Sequence, residues 1–154
     1  MPTIRRATLD DLPVLTRLRV ALFRDMGALH DDEGLEPLTQ SLADYFSADL
    51  PSERFLAWLS LDDSGRPIGC GGLVFVQKPP GPGNLSGREA YLMNMYTVPE
   101  WRGRGVATQM MATILAFVRE SGVTSVQLHA TEQGRPIYER VGFRATGTEM
   151  VLKI

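Results

Sequence analysis

Hydrophobic and polar positions switch between two periods along the chain, and each switch marks the edge of an element. Ile4–Arg6 reads as a short first strand. Thr8 stands three residues before Asp11, the spacing of a helix capping box. Leu12, Leu15, Leu18, Leu22 and Met26 then recur at helical spacing as far as Gly27, a C-terminal stop. Ala28–Pro37 is polar and acidic and reads as a loop. Leu38, Leu42, Tyr45 and Phe46 predict a short second helix that ends before Pro51.

Two apolar runs follow, Phe55–Leu61 and Ile68–Val76, separated by Asp62-Asp63-Ser64-Gly65. That pattern predicts a β-hairpin. Gln77–Arg88 is rich in Pro and Gly and reads as a loop within the domain. Ala90–Val98 is a fourth strand. Val106, Met110, Met111, Ile114, Leu115 and Val118 mark one face of a helix that stops at Gly122. Val123–Ala130 reads as a fifth strand and Pro136–Val141 as a short helix closed by Gly142. Phe143–Ile154 supplies one or two terminal strands.

The order is β-α-α-β-β-β-α-β-α-β, with no internal repeat. It predicts an α/β fold, a single domain over residues 1–154 with one mixed β-sheet flanked by helices. The strand-helix-strand unit of residues 90–130 should hold two parallel strands joined by a right-handed crossover.

Composition narrows the chemistry. One cysteine, Cys70, rules out an internal disulfide framework, and with two histidines no metal site is expected. Sixteen basic residues against eighteen acidic ones give a formal net charge of −2. The arginines are scattered apart from Arg102 and Arg104, so no nucleic-acid partner is expected. No signal-like or membrane-spanning apolar run is present, and a cytoplasmic location is the expectation.

The chemistry concentrates in Val98-Pro99-Glu100-Trp101-Arg102-Gly103-Arg104-Gly105-Val106-Ala107. A strand ends, two glycines remove Cβ atoms from a tight turn, and a helix begins at once. The first amides of a helix lack intrahelical acceptors and sit at the positive end of its dipole. Arg102 and Arg104 add positive charge. The arrangement suits a pyrophosphate. A P-loop would need a Lys that this turn lacks, and the dinucleotide fingerprint would need a third Gly where Thr108 stands. The reading without a ligand is a plain strand-to-helix turn.

Arg102-x-x-Gly105-x-Ala107 resembles the Arg/Gln-x-x-Gly-x-Gly/Ala signature of the GNAT superfamily of N-acetyltransferases. Met95-Tyr96-Thr97-Val98-Pro99-Glu100-Trp101 is similar to that family's fourth strand and its Pro-Glu-aromatic lead-in. Tyr138-Glu139-Arg140-Val141-Gly142-Phe143 resembles its last helix, and Ile4–Thr8 with Asp10-Asp11-Leu12 its opening. Thr131 and Gly134 depart from the pattern, which has Asn and Ala there.

The resemblance implies a fold whose fourth and fifth strands splay apart beside a β-bulge. It also implies acetyl-CoA as co-substrate and direct transfer to a primary amine on a small molecule, peptide or protein. Arg102 and the amides of Gly103, Arg104, Gly105, Val106, Ala107 and Thr108 would hold the pyrophosphate. Main-chain groups of Met95, Tyr96 and Thr97 would pair with pantetheine like an added strand, and Thr131 would reach its arm. A freed amide near Met95 or Tyr96 would face the thioester oxygen. Tyr138 is the candidate to support the departing thiolate. Homodimers are common in the family, and the sequence specifies no interface.

No general base is evident. Glu132, His129, Glu89 and the Asp31/Asp32/Glu33 loop are all candidates, as is a water chain. Carboxylates in His30–Glu36 would favour a cationic acceptor if that segment borders the pocket. Asn94 on the fourth strand faces either the acceptor or the bulged backbone. Gln77–Arg88 is a candidate for substrate-specific contacts. A non-catalytic acyl-CoA sensor on the same fold remains the alternative.

Overall fold

The computed structural model describes all residues, 1–154. A five-stranded sheet runs in the order β1-β2-β3-β4-β5. Its strands are β1 (Thr3–Arg6), β2 (Leu56–Leu61), β3 (Pro67–Gln77), β4 (Arg88–Thr97) and β5 (Val126–Gln127). The first four are antiparallel and β4–β5 is parallel, so the sheet is mixed. The helices are α1 (Leu12–Asp25), α2 (Leu35–Asp49), α3 (Val106–Glu120) and α4 (Arg135–Arg140).

Strand alternation sorts the core into two layers. Phe55, Ala57 and Leu59 point toward α1 and α2 and pack with Leu15, Leu18, Leu42 and Phe46. Leu56 and Trp58 point the other way and pack with Leu73, Leu92, Met110 and Ile114 under α3. Both faces of β2 are therefore buried, which is why its sequence is a nearly unbroken apolar run. The Trp58 and Phe117 rings meet edge to face at 5.3 Å.

Three expectations need correction. α2 starts at Leu35, three residues inside the segment read as loop. Pro37 sits in its first turn, where a missing N–H breaks no helical bond. β5 spans only Val126–Gln127 instead of Val123–Ala130. Finally, Phe143–Ile154 forms no strand. Residues 144–154 make no main-chain hydrogen bond, and Met150, Val151, Leu152 and Ile154 are exposed. Alternating apolar positions become a strand only against a partner edge, and the short β5 offers too little.

Candidate active site

The site is built around an extra residue in β4. Cys70 pairs with Tyr96 and Gly72 with Met93, so two steps on β3 face three on β4. That mismatch is a β-bulge, and Asn94 carries it at φ 58°. Asn tolerates the left-handed region better than most residues. The Cys70 thiol donates to the Asn94 carbonyl at 3.1 Å, while the buried Asn94 amide has no partner of its own. The Asn94 side chain therefore bonds no part of the bulged backbone, and it does not line the cleft described below.

Gly71, opposite the bulge, is the residue that lets the layers close. A Cβ there would lie 2.6 Å from Ile114 Cδ1 and 2.9 Å from both Met110 Cγ and Met95 Sδ. The sequence reading passed over Gly71. Its signal was a glycine run, Gly69, Gly71 and Gly72, inside an apolar strand, which marks a bulge or close approach.

Beyond the bulge the sheet splits. β4 pairs with β5 only at Ala90–Val126 and Tyr91–Gln127, and then runs on to Thr97 with no strand beside its outer edge. Val98 N–H bonds the Ile68 carbonyl on β3 at 2.9 Å. By alternation Tyr96, opposite Cys70, also turns its polar backbone to β3, whereas Met95 and Thr97 turn theirs to the opening.

The turn after β4 completes the wall. Gly103 (φ 73°) and Gly105 (φ 81°) are both left-handed, and a Cβ on either would meet nothing within 4 Å. Backbone conformation, not crowding, selects glycine here. None of the main-chain N–H groups from Gly103 to Thr108 has an acceptor within the chain, and the next, Gln109, bonds Gly105 at 2.9 Å.

These parts line one cleft of about 770 Å³. Met95, Tyr96, Thr97, Arg102, Gly103, Gly105, Val106, Ala107, Thr108, Thr131 and Tyr138 all border it. Arg104 does not; its guanidinium lies 5.0 Å from the centre of the Trp101 ring. Arg102 is committed as well. Its Nε donates to the Thr97 carbonyl at 2.9 Å, and its guanidinium pairs with Asp25 of α1. It fastens the turn to β4 and α1, a contact between distant residues that the sequence does not signal.

Tyr138 sits on α4, its ring edge to face with Phe143 at 6.0 Å. Burial pushes its phenol above the ordinary value. A Cβ on Gly134 would lie 3.0 Å from Tyr138 Cε2 and 3.4 Å from Thr131 Oγ1. Thr131 Oγ1 accepts the Gly134 N–H at 3.2 Å. The two departures from the family pattern therefore belong together, since an alanine would press on the tyrosine ring.

The candidate bases lie elsewhere. His129 pairs with Glu149 outside the cleft, and Glu89 pairs with Lys78 at 2.9 Å. Glu132 is exposed and outside the lining. Asp32 pairs with Arg24 at 2.7 Å, and neither the acidic segment nor the 77–88 loop borders the cleft. No group of three or more metal-ligating side chains occurs. No helix is long and apolar enough to cross a membrane.

The acetyltransferase (GNAT) family model matches residues 18–143. An aminoglycoside N(6')-acetyltransferase type 1 of Stenotrophomonas maltophilia is 31% identical over 141 residues, 86% of this chain and 83% of that one. A solved GCN5-related N-acetyltransferase from Ralstonia eutropha JMP134 has a TM-score of 0.90 and 32% identity, over 100% of this chain and 99% of that one. A predicted acetyltransferase from Clostridium acetobutylicum, solved with acetyl-CoA, has a TM-score of 0.87 and 27% identity, over 99% and 96%. With the bulge, the split sheet and the open turn in one cleft, the chain belongs to the GNAT family of acetyltransferases.

Proposed function

We propose that this protein moves the acetyl group of acetyl-CoA directly onto a primary amine. The observation that carries the reading is the run of unbonded N–H groups from Gly103 to Thr108, which opens on the same cleft as the strand-free edge of β4. Unpaired backbone donors are costly unless water or a ligand takes them. A run at a helix N-terminus fits a diphosphate. The strand-free edge at Met95 and Thr97, where Arg102 takes only the Thr97 carbonyl, fits the amides of a pantetheine arm. Acetyl-CoA carries both groups in one molecule.

The residues divide the work as follows. By alternation from Tyr96 the N–H of Met95 turns to the opening, where it would hold the thioester oxygen as negative charge gathers there. A donor of that kind contributes about 2.7–4 kcal/mol to the transition state. The amine nitrogen forms the new C–N bond, the C–S bond breaks, and Tyr138 hydrogen-bonds the departing thiolate. Burial makes Tyr138 a still weaker acid than a free phenol, so it serves as a hydrogen-bond donor and keeps its own proton. The sulfur takes its proton through solvent.

An alkylamine with pKa near 10 costs about 4 kcal/mol to deprotonate at pH 7. The sole carboxylate bordering the cleft, Asp25, is occupied by Arg102. The ammonium proton therefore leaves to water. Calorimetric titration with CoA, followed by free-thiol release from acetyl-CoA with a panel of amines, tests the reading. Tight binding and amine-dependent thiol release are expected. Folded protein that binds no CoA would overturn it, and binding without turnover would favour the sensor.

A further inference from the structure

One arginine in the cleft joins the turn, the fourth strand and the first helix. Asp25 is the last residue of α1, and Arg102 immediately precedes the amide run of Gly103–Thr108. The Arg102 guanidinium reaches Asp25 from Nη2 and the Thr97 carbonyl from Nε, the latter at 2.9 Å. Its Cζ lies 5.4 Å from the centre of the Tyr96 ring. Its remaining N–H bonds have no partner within the chain, and a planar guanidinium serves several acceptors at once. Arg102 therefore holds β4 and α1 while keeping donors free beside the turn.

Asp25 depends on that contact. A carboxylate at the C-terminal end of a helix meets the negative pole of the dipole and is unfavourable without a cation. Arg24, one residue earlier, is paired with Asp32, so Arg102 is the sole ion-pair partner of Asp25. Both side chains of the pair are 43% exposed, and water screens their attraction in the open cleft. An anion seated on the amide run would cover the pair and lower the local dielectric. The same attraction then grows. What it holds is a wall of the site, since Leu22 and Met26, on either side of Asp25, line the cleft.

We propose that Asp25 is a positioning residue. Through Arg102 it tightens the end of α1, and with it the Leu22 and Met26 wall, when a diphosphate occupies the Gly103–Thr108 turn. The proposal rests on the acetyl-transfer reading for the identity of that ligand, whereas the coupling itself needs only the diphosphate. Asp25 acts by fixing a helix end and touches no reacting atom. The wall that α1 contributes to the cleft is thereby set by what fills the turn.

The test reads hydrogen exchange in the peptide of residues 22–29, where the Met26, Gly27, Ala28 and Leu29 amides close α1. Wild type, Asp25→Asn and Asp25→Glu are compared alone, with saturating CoA and with inorganic pyrophosphate, which carries the diphosphate and no pantetheine. Either ligand should slow exchange there about tenfold in the wild type. In Asp25→Asn that slowing should vanish while residues 103–109 stay protected, and Asp25→Glu should recover part of it. Each ratio of bound to free is taken within one variant, so a general loss of stability cancels. Equal slowing by CoA in the wild type and Asp25→Asn overturns the proposal, because the ligand would then cover α1 directly. So does a wild type in which pyrophosphate protects 103–109 and leaves 22–29 unchanged. If only CoA binds, its ratios decide. A protein that binds pyrophosphate but not CoA would sink the acetyl-transfer reading, and the pyrophosphate ratios would then decide the coupling separately. Binding of neither overturns both.

Discussion

The thiol of Cys70 donates to the main-chain carbonyl of Asn94 across 3.1 Å, tying the middle of β3 to the extra residue of β4. Burial pushes that thiol up to about 12. At pH 8 the reactive thiolate fraction is then on the order of 10⁻⁴. A thiol reagent such as iodoacetamide should leave the native protein unlabelled at pH 8 and modify it fully in denaturant. Prompt labelling of the folded protein would mean that the bulge opens readily, contrary to a fixed thioester pocket.

Gly105 and Gly122 form a matched pair. Both have left-handed backbones, at φ 81° and 80°, and a Cβ on either meets nothing within 4 Å. An alanine at each position should cost about 1–2 kcal/mol in backbone strain. The two differ only in place, one opening α3 on the cleft and one following its far end. Denaturant melts should show similar losses for Gly105→Ala and Gly122→Ala. Calorimetry should show CoA binding weakened about tenfold in the first alone, by a methyl among ligand-facing amides. Equal CoA affinities would remove the turn from the binding site.

Tyr138→Phe removes a hydroxyl and leaves the ring against Phe143. A hydrogen bond to a charged partner contributes about 1.5–3 kcal/mol. The variant's kcat should therefore fall roughly ten- to a hundredfold, with KM for acetyl-CoA little changed. Because burial raises this phenol above its usual value, it stays protonated through the working range. The rate should climb with pH toward the acceptor's own pKa, with no falling limb below about 10. Unaltered kcat would exclude the hydroxyl from catalysis.

The turn was legible in the sequence because its cause is local. Gly103 and Gly105 are needed for their own backbone angles, and the strand and helix beside them declare themselves by period. The terminal strands of Phe143–Ile154 were misread because a strand depends on a neighbour the local pattern cannot report. The Arg104 side chain lies against Trp101 and not in the cleft lining, a packing contact the sequence does not signal, while its N–H stays in the unbonded run. Asp25 and Arg102 meet only in three dimensions.

Acid stability should depend on a forked contact far from the cleft. Arg5 donates to both oxygens of Asp11 at 2.8 and 2.9 Å, and the Thr8 N–H donates to Asp11 at 2.8 Å. The Arg5 hydrogen bond is the chief cause that holds Asp11 below the usual carboxylate range. A carboxyl with a lowered folded pKa stabilises the fold above its unfolded value of about 3.9. That contribution declines as pH falls from there through the folded pKa. Arg5 is half-exposed, so screening limits the contact to about 1 kcal/mol. Urea melts of the wild type and Asp11→Asn should differ by that amount at pH 7, and the gap should narrow steadily as pH falls below about 4. A gap that stayed constant with pH would mean that the ionised carboxylate contributes nothing, leaving only the packing of Asp11 at the start of α1.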